Sequence, residues 1–181
     1  MKKLSVLAVC LCVLAGASAK SFKPVFLKGE KQINIVFDYS QVVFDGDSQE
    51  KFYNEKGTEW LKEWEGVRRD ENADAFIAEL NSELGKLDVK VGKYLNAQYT
   101  MIVEVLDCDF GVAGVFNAAC KCTIKIVKTG TTEVLASTTL KETQKPYIRW
   151  DKEMRVDFAR IRYAIKEVGG EVGEMLYKAL K

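Results

Sequence analysis

Between Leu95 and Glu142 the chain reads as three strands in a row, and this stretch constrains the fold more than any other. Tyr99, Met101, Val103 and Val105 alternate with Thr100, Ile102, Glu104 and Leu106. A period of two in a run rich in β-branched residues is the pattern of a strand. Asp107–Asn117 carries two glycines and two aspartates and reads as a loop. Cys120, Cys122, Ile124 and Ile126 then alternate with Lys121, Thr123 and Lys125, a strand with one wet face. A turn at Lys128-Thr129-Gly130-Thr131 leads into a third strand over Val134–Leu140. Short connections make the three an antiparallel meander over residues 98–140.

The flanking segments supply cover. Gln32–Asp38 places Ile33, Ile35 and Phe37 on one face of a further strand, and Leu87–Val91 alternates briefly. Residues 39–58 read as irregular. Asp45, Asp47 and Gln49 resemble the start of a calcium loop, but Glu50 and Lys56 stand where that loop needs glycine and glutamate. Over Asp70–Leu84, Ala73, Phe76, Ile77, Leu80 and Leu84 form a helical stripe that ends at Gly85. The last helix, near 152–180, carries a seam of Met154, Phe158, Ile161, Ile165, Val168, Val172, Met175 and Ala179. That seam suits packing on the chain's own sheet or a coiled coil between chains. Gly169, Gly170 and Gly173 interrupt it. Either the helix bends there, or Gly169 and Gly173 let its backbone approach the sheet closely. The expected fold is α+β, a mainly antiparallel sheet of four or five strands covered by a helix near 70–84 and the C-terminal helix.

The first residues point to export. Lys2 and Lys3 precede an apolar run, Leu4–Leu14, too short to span a bilayer, and Ala17-Ser18-Ala19 is a small-residue cleavage signal. Cleavage is expected after Ala19, with a periplasmic destination. Val9 before Cys10 and Leu11 before Cys12 do not suit a lipobox, so no lipid anchor is expected. Residues 1–19 are then the signal, 20–30 an extended lead-in and 31–181 one domain. Losing Lys2 and Lys3 leaves 25 basic residues against 26 acidic, which favours neither nucleic acid nor an anionic surface. No later segment is long and apolar enough to cross a membrane.

The sequence contains no histidine. That removes Ser-His-Asp and Cys-His catalysis, histidine general bases and His-ligated zinc. No enzyme, metal or cofactor is expected. Cys108, Cys120 and Cys122 remain after cleavage. They read either as small buried hydrophobes or as holding a disulfide, Cys108 to Cys120 across the hairpin. Strict alternation from Met101, Val103 and Val105 would turn Cys108 away from the face of Cys122.

Trp60 and Trp64, four apart, read as core, as a hydrophobic lid or as an aromatic ligand platform. Glu104, Asp107 and Asp109 are the one carboxylate group near a strand end, read as a solvated loop before an acid/base set. Asp109-Phe110-Gly111 spells the kinase magnesium motif without the rest of that signature. Arg149, Arg155, Arg160, Arg162 and Lys166 are balanced by nearby acids and read as a solvated face.

The order of elements, with Ala97-Gln98-Tyr99 before MIVEV, Leu106–Gly111 and CTIKIVKTGTTEVLAS, resembles a group of bacterial envelope domains. The group includes the amino-terminal domain of TolB, LpoB, CsgG and related uncharacterised families. Gln98 stands where the group has Asp, and Thr131-Thr132 is inserted before Glu133. The resemblance implies a non-catalytic envelope domain that works through protein contacts, with an envelope protein or a second copy as partner. The alternative is a binder of lipidic or glycan ligands with an aromatic lid at Trp60 and Trp64.

Overall fold

The computed structural model describes residues 22–112, 115–144 and 157–181. The signal segment with its cleavage point, Arg149 and Arg155 lie outside the described residues. Among those described, seven strands form one sheet and four α-helices accompany it.

The strand β5 (Tyr99–Asp109) is the spine. On one side it pairs antiparallel with β6 (Ala119–Lys128), which pairs antiparallel with β7 (Val134–Thr143). On the other side β1 (Gln32–Asp38) takes the first half of β5 and β2 (Val43–Phe44) the second, both parallel. Two short strands complete the sheet: β3 (Asp47–Ser48) antiparallel to β2, and β4 (Lys90–Gly92) parallel to β1.

The sheet is therefore mixed rather than mainly antiparallel, with three of its six pairings parallel. The helical segment between β1 and β4 carries the chain back to the end where it began, and a crossover of that kind gives parallel neighbours. Short connections speak only for the meander.

The irregular reading of 39–58 is also corrected. Asp45 and Gly46 have φ of 51° and 82°. Positive φ at both central residues is what a tight two-residue hairpin turn requires, and it joins β2 to β3. Ser48 then accepts a hydrogen bond from the Lys51 N–H and caps α1 (Gln49–Lys56). From α2 (Thr58–Glu63) the chain passes through a π-helical turn, Trp64–Arg68, into α3 (Arg69–Glu83). The described part of the lead-in, residues 22–30, is not plainly extended: Val25–Leu27 is a 3-10 turn, and Phe22 and Leu27 are buried in the core.

The helix α4 (Asp157–Leu180) is continuous through Gly169 and Gly170. Its seam packs on β6 and β7 and beside α3, within the chain. The glycines answer to α3 rather than to the sheet. A Cβ on Gly169 would sit 2.5 Å from the Phe76 carbonyl oxygen, and one on Gly173 2.9 Å from that of Leu80. One sheet face, with Ile33, Ile35, Met101, Val103, Val105, Ile124 and Ile126, is buried under the helices. The opposite face carries Val36, Lys121, Thr123 and Lys125 and lies open or half-open.

Candidate functional site

A groove with a cavity volume of about 590 Å³ runs between β1 and the first half of α3. Its floor comes from a ladder that stops early. Gly92, the last residue of β4, pairs opposite Asn34. The Tyr94 N–H then bonds back to the Gly92 carbonyl and turns the chain away. The Lys31 carbonyl faces β4, since it accepts from the Lys90 N–H. By alternation the Ile35 carbonyl and both backbone groups of Phe37 point to that same edge. No strand among the described residues takes them up.

The outer side of β4 is treated differently. Asn81 of α3 donates to the Val91 carbonyl at 2.8 Å and accepts from the Val91 N–H at 2.9 Å, closing that edge with one side chain. The groove wall opposite β1 is Arg69, Ala73 and Ile77. Arg69 is oriented by its guanidinium lying 5.2 Å over the Tyr39 ring, and its carbonyl accepts from the Tyr39 hydroxyl at 3.4 Å. Lys93 and Leu95 close the end near Asn34, and Glu65 and Asp70 flank Arg69 at the other. Leu95 is 81% exposed and Val36 47%, so the groove has an apolar rim facing solvent. Nothing in the sequence reading singled it out; its signal was the brevity of β4 before Gly92.

A second basin, about 670 Å³, gathers Asp45, Asp107, Asp109, Lys141 and Thr143 at the far end of β5. Two of its carboxylates serve local backbone. Asp45 accepts from the Phe110 N–H at 2.8 Å and Asp109 from the Gly111 N–H at 2.9 Å. Glu104, grouped with Asp107 and Asp109 by sequence, is instead ion-paired to Lys125 on the open sheet face. No cluster of His, Cys, Asp or Glu able to hold a metal ion occurs among the described residues.

Of Trp60 and Trp64, Trp64 is core and Trp60 is half-buried against it. Trp64 is fully buried, and Trp60 stacks on it at 5.7 Å in an aromatic cluster with Phe44, Phe52, Phe110 and Phe158. A lid needs a face turned to solvent, and Trp64 has none. Neither tryptophan lines the two grooves described above.

The thiols of Cys108, Cys120 and Cys122 are free and buried together. Cys108 and Cys120 are register partners, and the Cys120 and Cys122 sulfurs lie 3.6 Å apart. Cys108 does not point away, because a β-bulge between Val105 and Asp107 resets the alternation and returns it to the core face. Hydrogen bonding among the neighbouring thiols, together with burial, pushes Cys120 and Cys122 well above the ordinary thiol range. The basic face is corrected in one position: Arg160 is buried, donating to the Phe110 carbonyl at 3.0 Å and to Asp157 at 2.6 Å. Arg162 and Lys166 pair with Glu71 and Glu79 of α3.

These observations define a two-layer α+β domain with a mixed sheet. No protein-family model matches the chain, and no curated protein matches it. Among solved structures it is similar to the PelC dodecamer from Paraburkholderia phytofirmans, at 9% identity and TM-score 0.46 over 81% of this chain and 89% of that one. It is also similar to XCC0632 from Xanthomonas campestris, of the DUF330 family, at 12% identity and TM-score 0.44 over 82% and 84%. A third is the hypothetical protein CT253 from Chlamydia trachomatis, at 12% identity and TM-score 0.33 over 79% and 98%. None of the three is a TolB, LpoB or CsgG protein.

Proposed function

We propose that the chain is an exported, non-catalytic protein of the bacterial envelope that serves as a protein-interaction or assembly module. The export signal at residues 1–19 and the sequence resemblance to envelope domains support the setting. The observation that carries the reading is the outer edge of β7. No strand pairs with it among the described residues. Natural edge strands are usually guarded by lysine, proline or an inward charge. Over its first seven residues, Val134 to Leu140, this edge reads VLASTTL with neither charge nor proline, and Lys141 and Glu142 stand only at its far end. The N–H and C=O groups that no described strand takes up are a template for a strand of another chain.

The test is a photo-crosslinking residue in place of Thr139, in the native cell envelope, with Lys62 on α2 as the control position. One defined adduct from Thr139 and none from Lys62, to another protein or to a second copy, supports the reading. No adduct, or the same adducts from both positions, overturns it. The alternative of a ligand binder with a tryptophan lid loses its main support with Trp64 buried.

A further inference from the structure

We propose that the groove between β1 and α3 binds a short extended peptide, apolar at alternate positions, with a carboxylate at its Lys93 end and a cation at its Glu65 and Asp70 end. This site is separate from the β7 edge and uses other residues.

The backbone argument comes first. The Ile35 carbonyl and the Phe37 N–H and carbonyl lie along one edge with no strand opposite among the described residues. A peptide laid there continues the line that β4 abandons at Gly92. The open stretch, Ile35 to Asp38, is about 13 Å long at ~3.3 Å per residue. That length fits about four residues of a tail or loop. It excludes a strand as long as β7, since the turn beginning at Lys93 and Leu95 stands in its path.

Side chains set the pattern. Alternate residues of an added strand face the same way. One set meets the apolar wall of Ala73 and Ile77, and Leu95 covers the entrance. The charges differ at the two ends. Lys93 is exposed at one; at the other Arg69 is ion-paired to Glu65 at 3.4 Å, which leaves the charge of the exposed Asp70 in excess. A peptide acidic at one end and basic at the other therefore fits in one direction along the groove, and its charges select register.

The probes are two fluorescein-labelled, capped peptides, Asp-Val-Thr-Val-Lys and Lys-Val-Thr-Val-Asp, one for each strand direction. Binding to the mature protein is followed by anisotropy, and exchange of the Phe37 amide by NMR. One peptide is expected to bind saturably below about 1 mM and to slow Phe37 exchange at least tenfold. Placing proline at the central position abolishes binding, because the added strand loses its donor. Lys93→Glu weakens binding at least fivefold, and replacing the peptide's Asp by Lys restores it to that variant. Leu95→Asp also weakens it. Both sites are exposed, so the fold is retained. No saturable binding by either peptide overturns the proposal, as does binding indifferent to Lys93→Glu or to the proline. Slowed Phe37 exchange on raising protein concentration alone overturns it in favour of a second copy. None of these results touches the Thr139 crosslink, so the two readings fail separately.

Discussion

Two adjacent glycines in α4 should respond to alanine with opposite signs. Glycine within a helix costs about 1 kcal/mol relative to alanine, so propensity alone favours both replacements. The surroundings differ. At Gly169 the new Cβ would lie 2.5 Å from the Phe76 carbonyl oxygen, 3.0 Å from its Cα and 3.1 Å from its carbonyl carbon. All three are backbone atoms of α3, so no rotamer change relieves them. Restoring an ordinary contact near 3.4 Å separates the helices locally by about 0.9 Å. Overpacking of this kind costs about 1–3 kcal/mol in a close-packed interior. After the propensity gain, Gly169→Ala should lose up to about 2 kcal/mol. At Gly170 the nearest atom is Cγ of the flexible Glu79 side chain at 3.4 Å, an ordinary contact. Gly170→Ala should gain about 0.5–1 kcal/mol. The assay is urea unfolding of the protein without residues 1–19, with the midpoint compared at constant m-value. A ~1 kcal/mol change should appear as about 2–4 °C in Tm for a chain of this size. A Gly169→Ala protein stabilised as much as Gly170→Ala would refute the close approach of α3 and α4.

Asn81→Ala should cost about 1–3 kcal/mol, because it leaves the Val91 N–H and carbonyl without their partner; an unchanged urea midpoint would show that water replaces it freely. The three thiols should resist a disulfide-exchange reagent in the folded protein and all react in denaturant, since they are buried and Cys120 and Cys122 are held in the protonated form; rapid labelling without unfolding contradicts that burial. The Asp38 carboxyl lies below the ordinary carboxylate range, chiefly because the Ser40 N–H donates to it at 2.8 Å. Its contribution is present above the unfolded pKa and lost as pH falls through the lower folded one. Asp38→Asn should therefore lower stability at neutral pH, with the gap closing in acid; a gap unchanged with pH rejects the assignment.

Legibility followed the range of the interaction. Local patterns placed β1, the meander, α3 and α4 within a few residues, because alternation and helical spacing are written in neighbouring side chains. The hairpin at Asp45-Gly46 was legible too, since an Asp-Gly pair is among the strongest short hairpin signals, although the same residues also match the opening of a calcium loop. The Ser48 cap was likewise readable. The mixed character of the sheet was not. Which edge of β5 receives β1 is decided across some sixty residues of intervening chain, and alternation within a strand says nothing about its neighbours. The bulge after Val105 was similarly silent, and it reversed the inferred direction of Cys108.

The two open edges were hidden for a related reason. An edge is defined by what fails to pair, and no residue type announces a missing neighbour. Yet the chain treats its edges unequally. It closes β4 with Asn81, an amide that can donate and accept at once and so satisfies both groups of Val91. Four residues further along the sheet, on β1, it leaves Phe37 beside an apolar wall with opposite charges at either end. A polar side chain reaching the Phe37 edge from α3 would have closed it at little cost, but Ala73 and Ile77 stand there instead. Small and apolar residues leave room for a backbone and a surface for its side chains. The same helix that seals one strand edge therefore keeps the next one accessible, and that contrast is the strongest structural reason to look for an extended segment there.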